Sequence, residues 1–187
     1  MGDSVPIIEI INLPGEKNMN ILLLVLRIIH IGSGVFWVGG VLMMTFFVGP
    51  TVGAIGDAGP KFVAHLVKNL KFTTIMSIAA GLTALAGASL YWIDSAGFTS
   101  AWMMSNAGTG FGIGSSLGVI GFIFGVVIGR NTNALVNLGG QIQGKPSPEQ
   151  VAQLQTLQKN QRTYGMGGSI SLILSVIFMA MSRFLVF

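Results

Sequence analysis

Polar residues are scarce along this chain and arrive in blocks. Between the blocks run four apolar stretches, residues 21–48, 72–93, 111–129 and 167–187. Each supplies the roughly 20 apolar residues that a helix needs to cross the hydrocarbon core of a bilayer. None alternates polar and apolar with period two, so the strands of a membrane barrel are excluded. The pattern predicts an all-α polytopic membrane protein, a bundle of four transmembrane helices forming one domain over 1–187. Residues 1–18, in which Pro6 and Pro14 bracket a short apolar run, read as an N-terminal arm. The first span is expected to stop near Gly49-Pro50, because proline cannot continue helical hydrogen bonding.

The polar blocks carry their own signals. Residues 62–70 keep a helical pattern leading into the second span. After Arg130 the apolar positions Leu135, Leu138 and Ile142 keep a helical period. Ser147-Pro148-Glu149-Gln150 reads as a helix start, with Ser147 as N-cap, Pro148 in the first turn and Gln150 closing a capping box. Val151, Leu154 and Leu157 then repeat toward the last span. The third and fourth helices are therefore expected to extend beyond the membrane as a helical hairpin over 130–163. That hairpin either holds the two helices together or offers a docking surface.

Small residues form stripes. On the third span Gly114, Gly118, Gly121, Gly125 and Gly129 fall in one sector of about 80° at 100° per residue. The second span has Ser77, Gly81, Ala84 and Ala88, and the fourth has Gly168, Ser171 and Ser175. Small residues let helices approach closely in lipid, where no hydrophobic effect drives them together. The same smooth walls would also suit a planar cofactor.

Composition agrees with the pattern: 51% of the 187 residues are hydrophobic and 9% are charged, against about a quarter charged in soluble domains. The net charge of +4 does not point to nucleic acid, because the basic residues are dispersed and form no stripe. They do orient the chain. Seven of the ten Lys and Arg residues fall in the first and third connections, which the positive-inside rule places in the cytoplasm. The N- and C-termini and the 94–110 connection then face outward, in a cell inner membrane, with Tyr91, Trp92 and Trp102 as an aromatic belt. No cleavable signal peptide is expected in the first eighteen residues, which lack a basic start. The absence of cysteine excludes thiolate metal sites, iron–sulfur clusters and covalent c-type haem. No paired carboxylates, nucleophile–base arrangement or phosphate loop is present, and enzymatic activity is left open.

The candidate chemistry lies in the first span, in Arg27-Ile28-Ile29-His30-Ile31-Gly32-Ser33-Gly34-Val35-Phe36-Trp37-Val38-Gly39-Gly40. Ionisable groups inside an apolar span are costly and read as functional. On a helix, Trp37 lies almost directly below His30, Gly34 flanks that line, and Arg27 sits one turn toward the amino end. An imidazole, a cation, a glycine gap and an aromatic floor suit a flat, anionic, metal-bearing cofactor. Neutral imidazole is a common axial ligand of haem iron, and Arg27 is placed to pair with a propionate. The plain alternative is a histidine hydrogen-bonded to a neighbouring helix, with Arg27 reaching to the interface. His65 lies near the other end of the bundle, about 28 Å away by helical rise, so the two histidines do not share one iron. Met179, at comparable depth on the fourth span, is a further ligand candidate. The ten methionines admit a Cu(I) reading, or serve as apolar filler.

His30 followed after six residues by Trp37-Val38-Gly39-Gly40 resembles the first-helix pattern of CopD-like membrane proteins and of HemJ-type protoporphyrinogen oxidases. The four-helix plan with a polar hairpin before the last helix is similar too, in layout over residues 20–187. The resemblance implies a b-type haem on His30 in the oxidase-like branch, and copper handling in the CopD branch. The chain departs from the oxidase pattern in lacking a basic residue within the third span. Three expectations follow: a haem-binding redox or accessory subunit, a copper transport or homeostasis protein, or a structural subunit without cofactor. Partners are the lipid bilayer and either other membrane subunits or further copies of the chain.

Overall fold

A computed structural model describes residues 14–185, with side chains from residue 18 onward. The part of the expected arm at 1–13 lies outside the described residues. Every regular element among them is helical: α1 (Pro14–Met43), α2 (Gly49–Ala54), α3 (Ala58–Lys68), α4 (Phe72–Asp94), α5 (Asn106–Gln141) and α6 (Pro148–Met181). Four helical segments, Asn18–Ala54, Phe72–Asp94, Asn106–Gln141 and Pro148–Met181, are long and apolar enough to cross a membrane. The protein is an all-α, four-helix membrane bundle.

The first segment does not stop at Gly49-Pro50, as the proline rule predicts. It passes into α2 through a single π-helical turn, Met44–Val48. The cause is local. Pro50 has no N–H to give to the carbonyl of Phe46 and its ring crowds that turn, so the helix widens. The Gly49 amide reaches back to Met44 O, and Thr51 Oγ1 donates to Phe47 O at 2.7 Å. The helix ends only at Ile55 and Gly56, the latter with φ +57°. α3 then crosses the polar end of the bundle. A Cβ at Gly59 would strike the Val52 carbonyl of α2, so only glycine permits this approach.

The spans pack as two tight pairs, α1 with α4 and α5 with α6, joined to each other through sparser contacts. The α5–α6 joint is built of small residues and hydroxyls. Ser171 Oγ donates to Leu117 O and Ser175 Oγ to Gly114 O, both at 2.7 Å. Each such bond contributes roughly 0.6–2 kcal/mol in lipid. Cβ atoms at Gly114 and Gly121 would meet Met179 Cγ at 3.0 Å and Leu172 Cδ2 at 2.6 Å. The glycine stripe is therefore split: 114, 118 and 121 receive α6, Gly125 faces Trp37 Nε1 with 4.0 Å to spare, and nothing lies within 4 Å of a Cβ at Gly129.

On α4 the small-residue face that packs is not Ser77, Gly81, Ala84 and Ala88. Ser77, Ala84 and Ala88 are exposed and a Cβ at Gly81 would meet nothing within 4 Å. The buried face is Ala79, Ala80, Thr83 and Ala86. The capping box at the start of α6 is complete, with Ser147 Oγ accepting from the Gln150 amide and Gln150 Oε1 accepting from the Ser147 amide. α5 and α6 run on beyond their apolar stretches, and Gln161 Nε2 donates to Thr132 Oγ1 at 3.1 Å between them.

Candidate functional site

His30 faces α4. Its Nδ1 lies 2.8 Å from the carbonyl oxygen of Thr83. A carbonyl only accepts, so Nδ1 carries the proton and, in the neutral ring, Nε2 keeps its lone pair. That carbonyl is free because Gly87, the residue that normally donates to it along the helix, leaves room for the ring itself. A Cβ at Gly87 would stand 2.6 Å from His30 Cε1 and 2.8 Å from Nδ1, but 3.7 Å from Nε2. The imidazole is thus seated on glycine by its Nδ1 edge, while Nε2 points away from the seat. Ser33, nearly one turn on, continues the arrangement. Its hydroxyl is 2.8 Å from Thr83 Oγ1, and Thr83 in turn donates to Ala79 O at 2.8 Å. A hydroxyl ladder therefore locks α1 to α4 directly beside the histidine.

The other residues singled out from the sequence have separate places. Gly34 meets the Thr83 methyl, with 3.4 Å from its Cβ position to Cγ2, and so serves the same α1–α4 contact. Trp37, two turns below His30, is 6% exposed in a core with Ala79, Ala80 and Leu172. Its ring meets Phe122 edge-on, with centroids 6.2 Å apart. The ring is taken up by protein contacts and ties the two helix pairs together. Arg27 is exposed, one turn before His30. Met179 packs on Gly114 in the α5–α6 joint. His65 is exposed on α3. The structure brings His30 and Gly34 together on Thr83, and gives Trp37 and Met179 to packing.

Comparison of the chain with family models, curated proteins and solved structures finds no match. The argument about chemistry rests on the residues themselves. Among the described residues no three His, Cys, Asp or Glu side chains gather as a metal-binding group. The donor set fits a group that takes one imidazole nitrogen, and does not fit a metal that needs three such ligands. Thr83 and Gly87 are the site residues that sequence reasoning missed. Their signal was a lone hydroxyl followed four residues later by glycine, one helical turn apart on one face.

At the outward-reading end, aromatic rings form a continuous group. Tyr91 meets Trp102 at 5.5 Å, Trp92 meets Phe98 at 5.2 Å, and Trp102 stacks on Phe111 at 6.2 Å. Beside them an open groove of about 510 Å³ runs along α5, past Tyr91, Met103, Gly112 and Ser116. His30 does not line it.

Proposed function

We propose that this protein lies in a cell inner membrane with both termini outside, and holds a b-type haem through His30 Nε2 as a redox or accessory subunit of a membrane complex. One observation carries the reading: Nδ1–H of His30 is committed to the Thr83 carbonyl. Metal-ligating histidines almost always donate their second nitrogen in this way, which fixes the tautomer and raises ligand basicity. Thr83 supplies that acceptor from its backbone, Gly87 supplies the seat, and the Ser33–Thr83 hydroxyls hold the two helices in register. Arg27, exposed one turn nearer the helix start, offers a guanidinium to a carboxylate at the interface. A haem bound here would supply one-electron chemistry at its iron. The chain's own work is to hold one nitrogen in a fixed direction inside an apolar bundle. Neither Trp37 nor Met179 enters the reading, since both are used in packing.

The test is the visible spectrum of the purified protein, expressed with ample haem supply, together with pyridine haemochrome and metal analysis. Stoichiometric haem that is lost in His30→Ala and kept in His65→Ala supports the reading. Wild-type protein without haem overturns it. Bound copper in that case would favour the copper-handling alternative, and no metal at all a structural subunit.

A further inference from the structure

The positive charge of the first connection is arranged on one side of a helix. Residues 55–71 contain Lys61, Lys68, Lys71 and His65 against a single acid, Asp57. On α3, Lys61, His65 and Lys68 fall within a sector of about 60° at 100° per residue, and all are exposed, as is Lys71. The opposite side faces the protein: Gly59 is buried on Val52, and Val63, Leu66 and Val67 are half-buried. α3 reaches from α2 to the far end of α5, where Lys68 Nζ lies 3.6 Å from the Cβ position of Gly140. It thus bridges the end of one helix long enough to cross a membrane, Asn18–Ala54, and the start of the next, Phe72–Asp94. That is the depth of the bilayer boundary.

A second feature accompanies the lysines. Ile55, Phe62 and Leu70 are exposed to 45%, 45% and 54%, beside the cations and not under them. Large apolar groups next to ammonium groups are ill-suited to open water. They suit a layer where phosphates lie above glycerol and the first methylenes, the arrangement that interfacial amphipathic helices use. An acidic protein surface would satisfy the lysines and leave the three apolar side chains unexplained.

We infer that α3 and its flanks form a docking surface for anionic phospholipid headgroups of the leaflet in which this end of the bundle sits. The phosphodiester would face Lys61, Lys68 and Lys71, and Phe62 and Leu70 would enter between neighbouring lipids. The inference does not depend on a haem. A basic residue beside an anionic membrane surface favours that surface by about 1 kcal/mol, roughly fivefold per lysine.

The experiment uses the full chain reconstituted in vesicles of phosphatidylcholine mixed with phosphatidylglycerol. Lipid retained after gentle detergent extraction is counted by native mass spectrometry. Wild type should retain phosphatidylglycerol in preference to phosphatidylcholine, and added salt should erode that preference. Lys61→Gln, Lys68→Gln and Lys71→Gln combined should abolish it, whereas the three Lys→Arg changes and the Lys145→Gln, Lys159→Gln pair should keep it. Equal retention of the two lipids by wild type overturns the inference. So does a preference that persists in the triple glutamine variant, or one insensitive to salt, a readout that stands even if that variant fails to fold. If the triple variant instead breaks an oligomer while lipid selectivity is unchanged, the surface binds a second copy and the lipid assignment is wrong.

Discussion

Gly87→Ala tests the seat of His30 directly. Alanine in place of a mid-helix glycine normally gains about 0.5–1 kcal/mol. At position 87 the new Cβ would stand 2.6 Å from His30 Cε1, roughly 1 Å inside the ordinary carbon–carbon contact of about 3.5–4.0 Å. The ring has to move by that distance, and the 2.8 Å bond from Nδ1 to Thr83 O cannot survive the move. Overpacking costs about 1–3 kcal/mol, and the lost hydrogen bond about 0.5–1.5 kcal/mol. The net loss is therefore roughly 1–4 kcal/mol. Gly81→Ala on the same helix is the reference, because nothing lies within 4 Å of its Cβ position. Equilibrium unfolding in mixed micelles with increasing sodium dodecyl sulfate would compare them, with Gly81→Ala at or above wild type and Gly87→Ala clearly below. Equal midpoints for the two variants would show that His30 does not rest on α4, and the tautomer argument would fall with it.

The same comparison divides the glycine stripe of α5: Gly121→Ala drives a Cβ to 2.6 Å from Leu172 and should cost about 1–3 kcal/mol. Gly125→Ala, with Trp37 Nε1 at 4.0 Å, should be neutral or stabilising in the same unfolding assay, and equal losses at both sites would refute the split. Ser147→Ala removes the N-cap of α6 and should cost about 1 kcal/mol, seen as faster hydrogen exchange in its first turn. Glu149 is held below the ordinary carboxylate range, first by the Ser147 hydroxyl donating to it at 2.7 Å and then by a backbone bond. A depressed folded pKa stabilises above the unfolded value and is lost as pH falls through the folded one, so the titration of Glu149 by NMR should shift upward in Ser147→Ala. Cysteine introduced at position 145 should be labelled only after the membrane is permeabilised; labelling from outside the intact cell would invert the proposed orientation.

The four apolar segments and the start of α6 could be read from the sequence because each rests on local physics: length against bilayer thickness, and a Ser-Pro-x-Gln cap. The face of α4 could not. In lipid both sides of a span are apolar, so the amphipathic signal that marks a buried face in water is absent. Two small-residue stripes then compete, and Ser77, Gly81, Ala84 and Ala88 look as good as Ala79, Ala80, Thr83 and Ala86. What decides between them is the partner, since Thr83 and Gly87 meet Ser33 and His30. Of the candidate site, His30 and its helix face were legible. Trp37 was legible as facing inward, but its use as core needed Phe122 and Leu172 from two other helices.

The π-helical turn at Met44–Val48 has a consequence for how this chain tolerates change. Such a turn holds one residue more than the α-helix on either side would accommodate, as a single-codon insertion leaves behind. Deleting any one residue between 44 and 48 would let the helix close into regular α spacing. Everything after it would then swing about 100° around the helix axis. Val52 would turn away from Gly59, and α3 with its lysines would be carried off the bundle end it now crosses. The membrane half, with His30 and Thr83, lies before the turn and would keep its place. One surplus residue thus sets the heading of the polar end independently of the spans beneath it.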